Sequence, residues 1–369
     1  GGRAVEEESE VIIMAGDLVL VTGGSGFLGS HVVKAAVDAG YRVRTTVRHP
    51  DDRKKCEYLY KLKDEGKPVE LVKADLLDDD SVWTDVVKGC RYVLHVASPF
   101  YAGNKTEEEL VNPAVQGTTV VLKTALAEGV EHVVITSSVV AIYSGDYKRR
   151  AQTDQKPYTE DDWTNVDGLV PITQAYDKSK TLAEKAAWKL WEESGRSGKL
   201  STINPSLVIG PPIHSNDGTS MKLMATLLQG TVPAVPRLPL GVVDVRDVAK
   251  AHVLAMAKPK ASGKRFILSS GVLRLPEITE KINNCMGQYG YRPPRLVVPN
   301  FVPKFFGFFL ASVRVFAKDI ENPLNFDNSQ SRNVLGISYE NVDDSIRDTC
   351  EGLIEQGFVK ATSKYAEAK

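Results

Sequence analysis

Residues 18–47 read LVLVTGGSGFLGSHVVKAAVDAGYRVRTTV, and this stretch decides the fold. A short apolar run leads into glycines at positions 23, 26 and 29, an amphipathic helical pattern follows, and a second β-rich run begins at Tyr41. Because glycine has no Cβ atom, the backbone at these positions can approach a pyrophosphate closely. The first amides of the following helix have no partner inside the helix and can donate hydrogen bonds to the pyrophosphate. The stretch predicts a dinucleotide-binding turn formed by Gly23, Gly26 and Gly29.

The same alternation of predicted strands and helices continues along the chain. Runs rich in Val, Ile and Leu recur at residues 69–74, 91–97, 132–137 and 200–204. Because these runs show little polar alternation, both faces of the sheet are expected to be covered by helices. We predict an α/β fold with a Rossmann-type, doubly wound parallel sheet.

Composition and the distribution of charged, cysteine and apolar residues argue against several classes of function. The 46 Lys and Arg residues nearly balance the 47 Asp and Glu residues, so nucleic-acid binding is disfavoured. The four cysteines are scattered and no ligand cluster has metal spacing, so we expect no metal and a reducing, cytoplasmic location. No apolar run is long enough to span a membrane, and the first residues are acidic, unlike a signal peptide.

The end of the second strand indicates which dinucleotide binds. Arg48 lies nineteen residues after Gly29, where an acidic residue would bind the ribose of NAD. An arginine can instead pair with a 2′-phosphate, and Lys55 adds charge nearby, so NADPH is favoured over NADH. The alternative is a solvated basic surface without a specific role.

Other expected cofactor contacts follow from position alone, since the carboxyl ends of parallel strands share one edge of the sheet. They comprise the start of the first helix and the ends of the third and fourth strands: Phe27, Leu28, Asp75, Leu76, Ala97 and Ser98.

The candidate catalytic residues are Ser138, Tyr176 and Lys180. Ser138 ends the fifth predicted strand, and Tyr176 and Lys180 lie four apart on one face of a predicted helix over residues 174–193. We expect the ammonium to make the phenol more acidic and to bind the nicotinamide ribose, while Ser138 holds a substrate oxygen. A Tyr and Lys four apart also occur as surface pairs, but their order after the glycine turn and Ser138 favours catalysis.

Several segments together resemble the extended short-chain dehydrogenase/reductase superfamily, over roughly residues 17–358. The resemblance is strongest to its dihydroflavonol reductase, cinnamoyl-CoA reductase and methylglyoxal/ketone reductase branch. The segments are TGGSGFLG (22–29), HVASP (95–99), TSSVVAIY (136–143), YDKSKTLAEKAAW (176–188), NPSLVIGPP (204–212) and VDVRDVAKAH (243–252).

This resemblance implies NADPH-dependent reduction of aldehydes and ketones by Ser138, Tyr176 and Lys180. It also implies that the nicotinamide is flanked by Pro205, Ser206 and Val208. VRHP at 47–50, followed by Lys55, matches the 2′-phosphate signature of the branch.

Two departures keep the expected substrate generic. Tyr143 stands where flavonoid reductases have a substrate-binding Asn, and TQAYD at 173–177 replaces the NWYCY of cinnamoyl-CoA reductases. The alternatives are a sugar epimerase or hydroxysteroid dehydrogenase that uses NAD(P), and a non-catalytic NADP-binding sensor.

The domain division follows from composition. Residues 1–16 are expected to be a disordered extension or an expression remnant, and 17–205 with 241–270 to form the NADP-binding domain. Proline and glycine become dense after 205, which indicates a smaller substrate-binding lobe from 206–240 and 271–360. Its candidate cleft residues, for which apolar core is the alternative, are Leu207, Met221, Met224, Leu228 and the aromatics of 301–316. We expect a monomer or homodimer acting on a small molecule.

Overall fold

The structure is a computed structural model that describes residues 16–98, 107–145, 156–169, 174–196, 198–215, 218–302, 319–320 and 323–369. Its strands are β1 (Leu18–Val21), β2 (Arg42–Val47), β3 (Val69–Lys73), β4 (Tyr92–His95), β5 (His132–Thr136), β6 (Lys199–Pro205), β7 (Leu207–Ile209), β8 (Ala234–Val235), β9 (Pro239–Asp244), β10 (Lys264–Leu268), β11 (Gly271–Arg274) and β12 (Leu296–Val297).

Helices connect most of these strands. They are α1 (Phe27–Asp38), α2 (Glu57–Asp64), α3 (Asp80–Val87), α4 (Glu107–Ala127), α5 (Val140–Tyr143), α6 (Ala175–Glu193), α7 (Thr219–Gln229), α8 (Val245–Ala257), α9 (Leu275–Met286), α10 (Val342–Glu355) and α11 (Ser363–Ala368).

A seven-stranded parallel sheet forms the centre of the molecule, in the order β10-β6-β5-β4-β1-β2-β3. In β1, Val19 and Val21 face a core shared with α1, α2 and α8, whereas Leu20 faces a core shared with α3, α4 and α6. All three side chains are fully buried. This explains the unbroken apolar runs and confirms the predicted doubly wound Rossmann-type sheet.

The C-terminal part of the chain forms a second core. Strands β7, β9 and β11 form a small sheet, in which β9 pairs parallel with β7 and antiparallel with β11. Helices α7, α9 and α10 pack together with it. Met221, Met224 and Leu228 are fully buried in this core and Leu207 packs against it, so the apolar-core alternative holds for the three and they do not line a cleft.

An ion-pair network joins the two cores. Buried Asp244 caps α8 and accepts hydrogen bonds from the backbone and guanidinium of Arg246, whose Nη1 lies 2.9 Å from Asp348 of α10. These contacts connect α8, which packs in the first core, to α10, which packs in the second. Most of the predicted aromatic segment 301–316 lies outside the described residues. Among those described, no helix combines the length and apolarity needed to cross a bilayer.

Candidate active site

The glycine turn after β1 is packed too closely for side chains. Gly23 has a φ of +74°, and a Cβ on Gly29 would lie 2.1 Å from the Gly23 carbonyl oxygen. A Cβ on Gly23 would lie 3.1 Å from Ala97, which brings this predicted contact beside the turn. Helix α1 then begins at Phe27 with no side chain capping its first amides. The first amides of α1, at the positive end of the helix, are therefore the backbone donors that this region presents to a ligand.

Neighbouring strands hold this turn in place. The Gly23 amide donates to the Thr46 hydroxyl at the end of β2, over 3.0 Å. The Thr22 hydroxyl accepts from the amide of Ala97 over 2.9 Å and contacts His95 Nδ1. The carboxyl ends of β1, β2 and β4 are thus joined around the turn.

Two histidines that the sequence analysis did not single out connect the turn and α1 to the segment after β7. His31 Nε2 lies 2.9 Å from the Pro211 carbonyl oxygen, and His214 Nε2 lies 2.9 Å from that of Ser25. Burial lowers the pKa of His31 to about 4, so the ring is neutral at pH 7 and donates from Nε2. No local motif marks these pairs, because their partners are distant in sequence.

Arg48 follows β2 directly and is exposed. In the part of the chain that the structure describes, its guanidinium has neither a hydrogen-bond partner nor an ion-pair partner. Lys55 is exposed as well, and its Nζ lies 3.5 Å from Asp52. Arg48 is therefore available to an anion at this edge.

The remaining predicted contacts lie where expected along the sheet edge. Asp75 follows β3 and accepts from the Leu77 amide over 3.0 Å, and Leu76 packs against α4, where a Cβ on Gly117 would lie 2.9 Å from Leu76. Ser98 is half-buried after β4. These positions are compatible with a long ligand lying across the strand ends.

Pro205 and Val208 lie at the junction of β6 and β7. The Pro205 carbonyl accepts from the Val139 amide over 3.1 Å, which ties this junction to the segment after β5. Between them, the buried Ser206 hydroxyl has no hydrogen-bond partner among the described residues. A buried hydroxyl without a partner costs free energy, so the site offers an unused polar group to a ligand.

The structure brings Ser138, Tyr176 and Lys180 together, as predicted. Ser138 lies just beyond β5, and its hydroxyl is hydrogen bonded to the phenol of Tyr176 in the first turn of α6. Lys180 lies one turn further along this helix, and its Nζ donates to the Thr136 carbonyl over 3.2 Å.

The expected acidic phenol is not observed. Burial, with a smaller contribution from Asp177, raises the pKa of Tyr176 to about 12, against the opposing hydrogen bond from Ser138. Burial also lowers the pKa of Lys180 to about 8, and the negative charge of Glu184 opposes this lowering. The predicted net lowering of the phenol pKa was therefore wrong for the chain's own groups, because burial dominates the pKa of both side chains and outweighs any contribution of the ammonium.

A fully buried carboxylate that the sequence analysis missed lies next along the same helical face. Glu184 accepts from the Ser137 hydroxyl over 2.5 Å and from Asn204 over 2.8 Å, and Arg265 Nε lies 2.7 Å from it. Its place four residues after Lys180 was the only sequence signal. Within the described residues, no group of three or more His, Cys, Asp or Glu side chains is arranged to hold a metal.

The sheet order and the glycine turn define a Rossmann-type nucleotide-binding fold. The family model of the NAD dependent epimerase/dehydratase family matches residues 19–269. The chain therefore belongs to this family, the extended short-chain dehydrogenases/reductases, which confirms the resemblance.

Individual relatives lie on the expected branch. A cinnamoyl-CoA reductase of Medicago truncatula is 33% identical over 93% of this chain and 97% of its own length. The crystal structure of yeast methylglyoxal/isovaleraldehyde reductase Gre2 complexed with NADPH has a TM-score of 0.75 and 28% identity, covering 92% of this chain and 98% of that chain. Gre2 of Candida albicans in complex with NADPH also has a TM-score of 0.75, with 31% identity over 92% of this chain and 99% of that chain.

Proposed function

We propose that this protein is an NADPH-dependent reductase of aldehyde or ketone groups on small organic molecules. The observation that carries the proposal is the hydrogen bond between Ser138 and Tyr176, with Lys180 one helical turn away. All three lie at the edge of the sheet where open α/β sheets bind ligands. Relatives that reduce cinnamoyl-CoA and methylglyoxal support the reaction class.

The residues of the site fit NADPH. The Gly23–Gly29 turn and the free amides at Phe27 and Leu28 suit its pyrophosphate, and unpartnered Arg48 suits its 2′-phosphate. The buried Ser206 hydroxyl, between Pro205 and Val208, suits the nicotinamide carboxamide. NADPH complexes of two structural relatives support this choice.

NADPH, when bound, supplies the hydride that reduces the carbonyl carbon. Ser138 donates a hydrogen bond to the substrate oxygen and orients it toward Tyr176, which gives up its phenolic proton to that oxygen. Lys180 holds positive charge behind the phenol and stabilises the phenolate that results.

The raised pKa of Tyr176 supports its proposed role as the proton donor. A phenol with a pKa of about 12 is protonated throughout the neutral range, as a general acid must be. Oxidation of an alcohol would instead require its deprotonated form. The protonated phenol therefore supports carbonyl reduction as the proposed reaction.

Aromatic side chains supply one wall of the proposed substrate site. A Cβ on Gly241 would lie 2.9 Å from both Phe326 and Ser206, which places Phe326 beside the proposed nicotinamide position. Its ring lies 5.6 Å from that of Tyr143, edge to face. This wall suits substrates with an apolar or aromatic group next to the carbonyl. We propose that the substrate-binding lobe comprises residues 206–240 and 271–360.

A screen of aldehydes, diketones and hydroxyketones, followed by the loss of reduced cofactor absorbance with NADPH and with NADH in parallel, tests the proposal. We expect turnover with NADPH and weaker turnover with NADH. NAD that stays bound through gel filtration and never exchanges would instead establish the epimerase alternative. Tight NADPH binding without turnover of any carbonyl would establish the sensor alternative.

A further inference from the structure

Glu184 lies at the centre of a buried polar network that the proposed reaction does not use directly. Its side chain is fully inaccessible, and it joins α6 to the segment after β5 and to the strands β6 and β10. Besides Ser137, Asn204 and Arg265, the Thr202 hydroxyl donates to it over 2.9 Å and the indole of Trp188 over 3.3 Å. A carboxylate this deep is retained only when its oxygens are fully satisfied.

One arm of the network fixes the backbone that carries Ser138. Glu184 accepts from the hydroxyl of Ser137 over 2.5 Å, and Asn204 donates both to Glu184 and to the Ser138 carbonyl over 3.2 Å. The segment after β5 is therefore held on both sides of the hydroxyl that meets Tyr176. Because proton transfer needs donor and acceptor within hydrogen-bond reach, this arm controls the geometry of the reaction.

A second arm connects the network to the irregular segment beyond α5. Arg265 donates to the carbonyl oxygens of Glu160 and Asp162 over 2.7 and 2.6 Å, and its guanidinium lies 3.7 Å from the ring centroid of Trp163. The guanidinium is thus engaged along its edge by hydrogen bonds and on one face by an aromatic ring. Displacement of Glu184 would leave the buried cation of Arg265 without its ion-pair partner.

The network also acts on Lys180 through charge. Among the described residues, the charged and titratable groups around the Lys180 ammonium are Glu184 and Tyr176 on its own helix and His95 on β4, with the Arg265 cation of β10 beyond Glu184 as its ion-pair partner. Burial lowers the pKa of His95 to about 3, so this ring is neutral at pH 7, and Tyr176 is protonated. Glu184 lies one helical turn beyond Lys180 on the same face of α6, and its negative charge favours the protonated form of Lys180.

We propose that Glu184 is a positioning residue of the reductase, which holds the segment of Ser138 against Tyr176 and keeps Lys180 charged. The inference rests on the proposed function for its kinetic readouts. Its electrostatic part concerns the folded chain alone and can be measured without turnover.

The test compares Glu184→Gln and Glu184→Asp with the wild-type protein. In Glu184→Gln we expect the Lys180 pKa, followed by ¹⁵N NMR of its side chain, to fall by about one unit. The alkaline limb of the pH dependence of kcat is expected to move down with it, and kcat at neutral pH to fall roughly tenfold. In Glu184→Asp, which keeps the charge but shortens the side chain, kcat falls while the Lys180 pKa stays in place.

Glu131→Gln is the matched control. Glu131 pairs with Arg91 and Lys199 just before the opposite end of β5, so its loss costs stability far from Ser138. We expect it to leave the Lys180 pKa and the pH dependence unchanged.

Separate outcomes identify which claim fails. An unchanged Lys180 pKa in folded Glu184→Gln overturns the inference whether or not carbonyls are reduced. Should Glu184→Gln not fold, wild-type kcat in Glu184→Asp overturns the positioning role. Absence of carbonyl reduction in the wild type, with the NMR shift present, overturns only the proposed function.

Discussion

Lys180 donates a hydrogen bond from Nζ to the carbonyl oxygen of Thr136, the last residue of β5, over 3.2 Å. This contact ties the helix of Tyr176 to the strand that carries Ser138. It also holds an ammonium where burial lowers its pKa to about 8, so the protein keeps a costly charge at neutral pH.

Replacing Lys180 by Met should separate stability from activity. The folded-state pKa lies below the unfolded value, so burying the charge opposes folding fully below about pH 8, and this cost disappears as the pH rises toward the unfolded value. At pH 7 we expect Lys180→Met to gain about 1–3 kcal/mol in urea denaturation while losing most activity. Lower stability with activity retained would refute both the cost of burying the ammonium and its part in the reaction.

The pH dependence of the wild-type enzyme should have one limb near neutrality. Tyr176, with a pKa raised to about 12, stays protonated as the acid, whereas Lys180 loses its proton near pH 8. We therefore expect kcat/KM for reduction to fall above about pH 8. A rate that stays level to pH 10 would show that the charge of Lys180 is dispensable.

Arg48 should determine the preference for NADPH over NADH. Its exposed guanidinium has no partner within the described residues, so we expect its substitution to remove the contact with the 2′-phosphate and no contact within the protein. In Arg48→Ala we expect NADPH affinity to fall about tenfold or more, by fluorescence titration, and NADH affinity to change little. Arg42→Ala, an equally exposed cation at the start of β2, is the control and should affect neither. Equal losses for both cofactors would remove the 2′-phosphate assignment.

Glycine 29 should not tolerate a methyl group. Its Cβ would lie 2.1 Å from the Gly23 carbonyl oxygen, which is backbone and cannot move aside cheaply. We expect Gly29→Ala to abolish detectable NADPH binding and to lower the thermal midpoint. Gly271→Ala, where a Cβ meets nothing within 4 Å, should behave as wild type in both measurements. NADPH binding by Gly29→Ala at wild-type affinity would place the cofactor elsewhere.

Buried histidines should make the fold sensitive to acid. Burial lowers the pKa of five of the six histidines: His31, His95, His132, His214 and His252. Burial disfavours their protonated form in the folded chain, whereas the unfolded chain takes up protons below about pH 6.5, so stability falls as the pH drops. Asp177 and Asp247, with pKa values raised by burial to about 6, act in the opposite direction.

We expect the free energy of unfolding to fall by about 3 kcal/mol per pH unit near pH 5. Urea denaturation at pH 7, 6 and 5 measures this change. Stability that is constant or rises over this range would show that the histidines are not buried neutral. His252 illustrates the cause: Nδ1 lies 2.8 Å from the Val248 carbonyl oxygen and Nε2 lies 2.7 Å from the Thr136 hydroxyl, which suits one neutral tautomer.

Much of the fold and part of the site follow from short-range sequence patterns. The glycine turn, the parallel strands and the spacing of Tyr176 and Lys180 are local features, so periodicity and position suffice to predict them. The partnership of Glu184 with Arg265 spans 81 residues, and no local signal announces it. The raised pKa of Tyr176 depends on burial by the whole fold, which is why the sequence alone suggested the opposite shift.

The central claim, that the phenol of Tyr176 supplies the proton for carbonyl reduction, is tested most directly by Tyr176→Phe. The substitution removes one oxygen and its hydrogen bond with Ser138 while keeping the ring. We predict that kcat falls at least ~100-fold and that the Kd for NADPH changes less than about twofold. Reduction at the wild-type rate by a folded, NADPH-binding Tyr176→Phe protein would contradict the account.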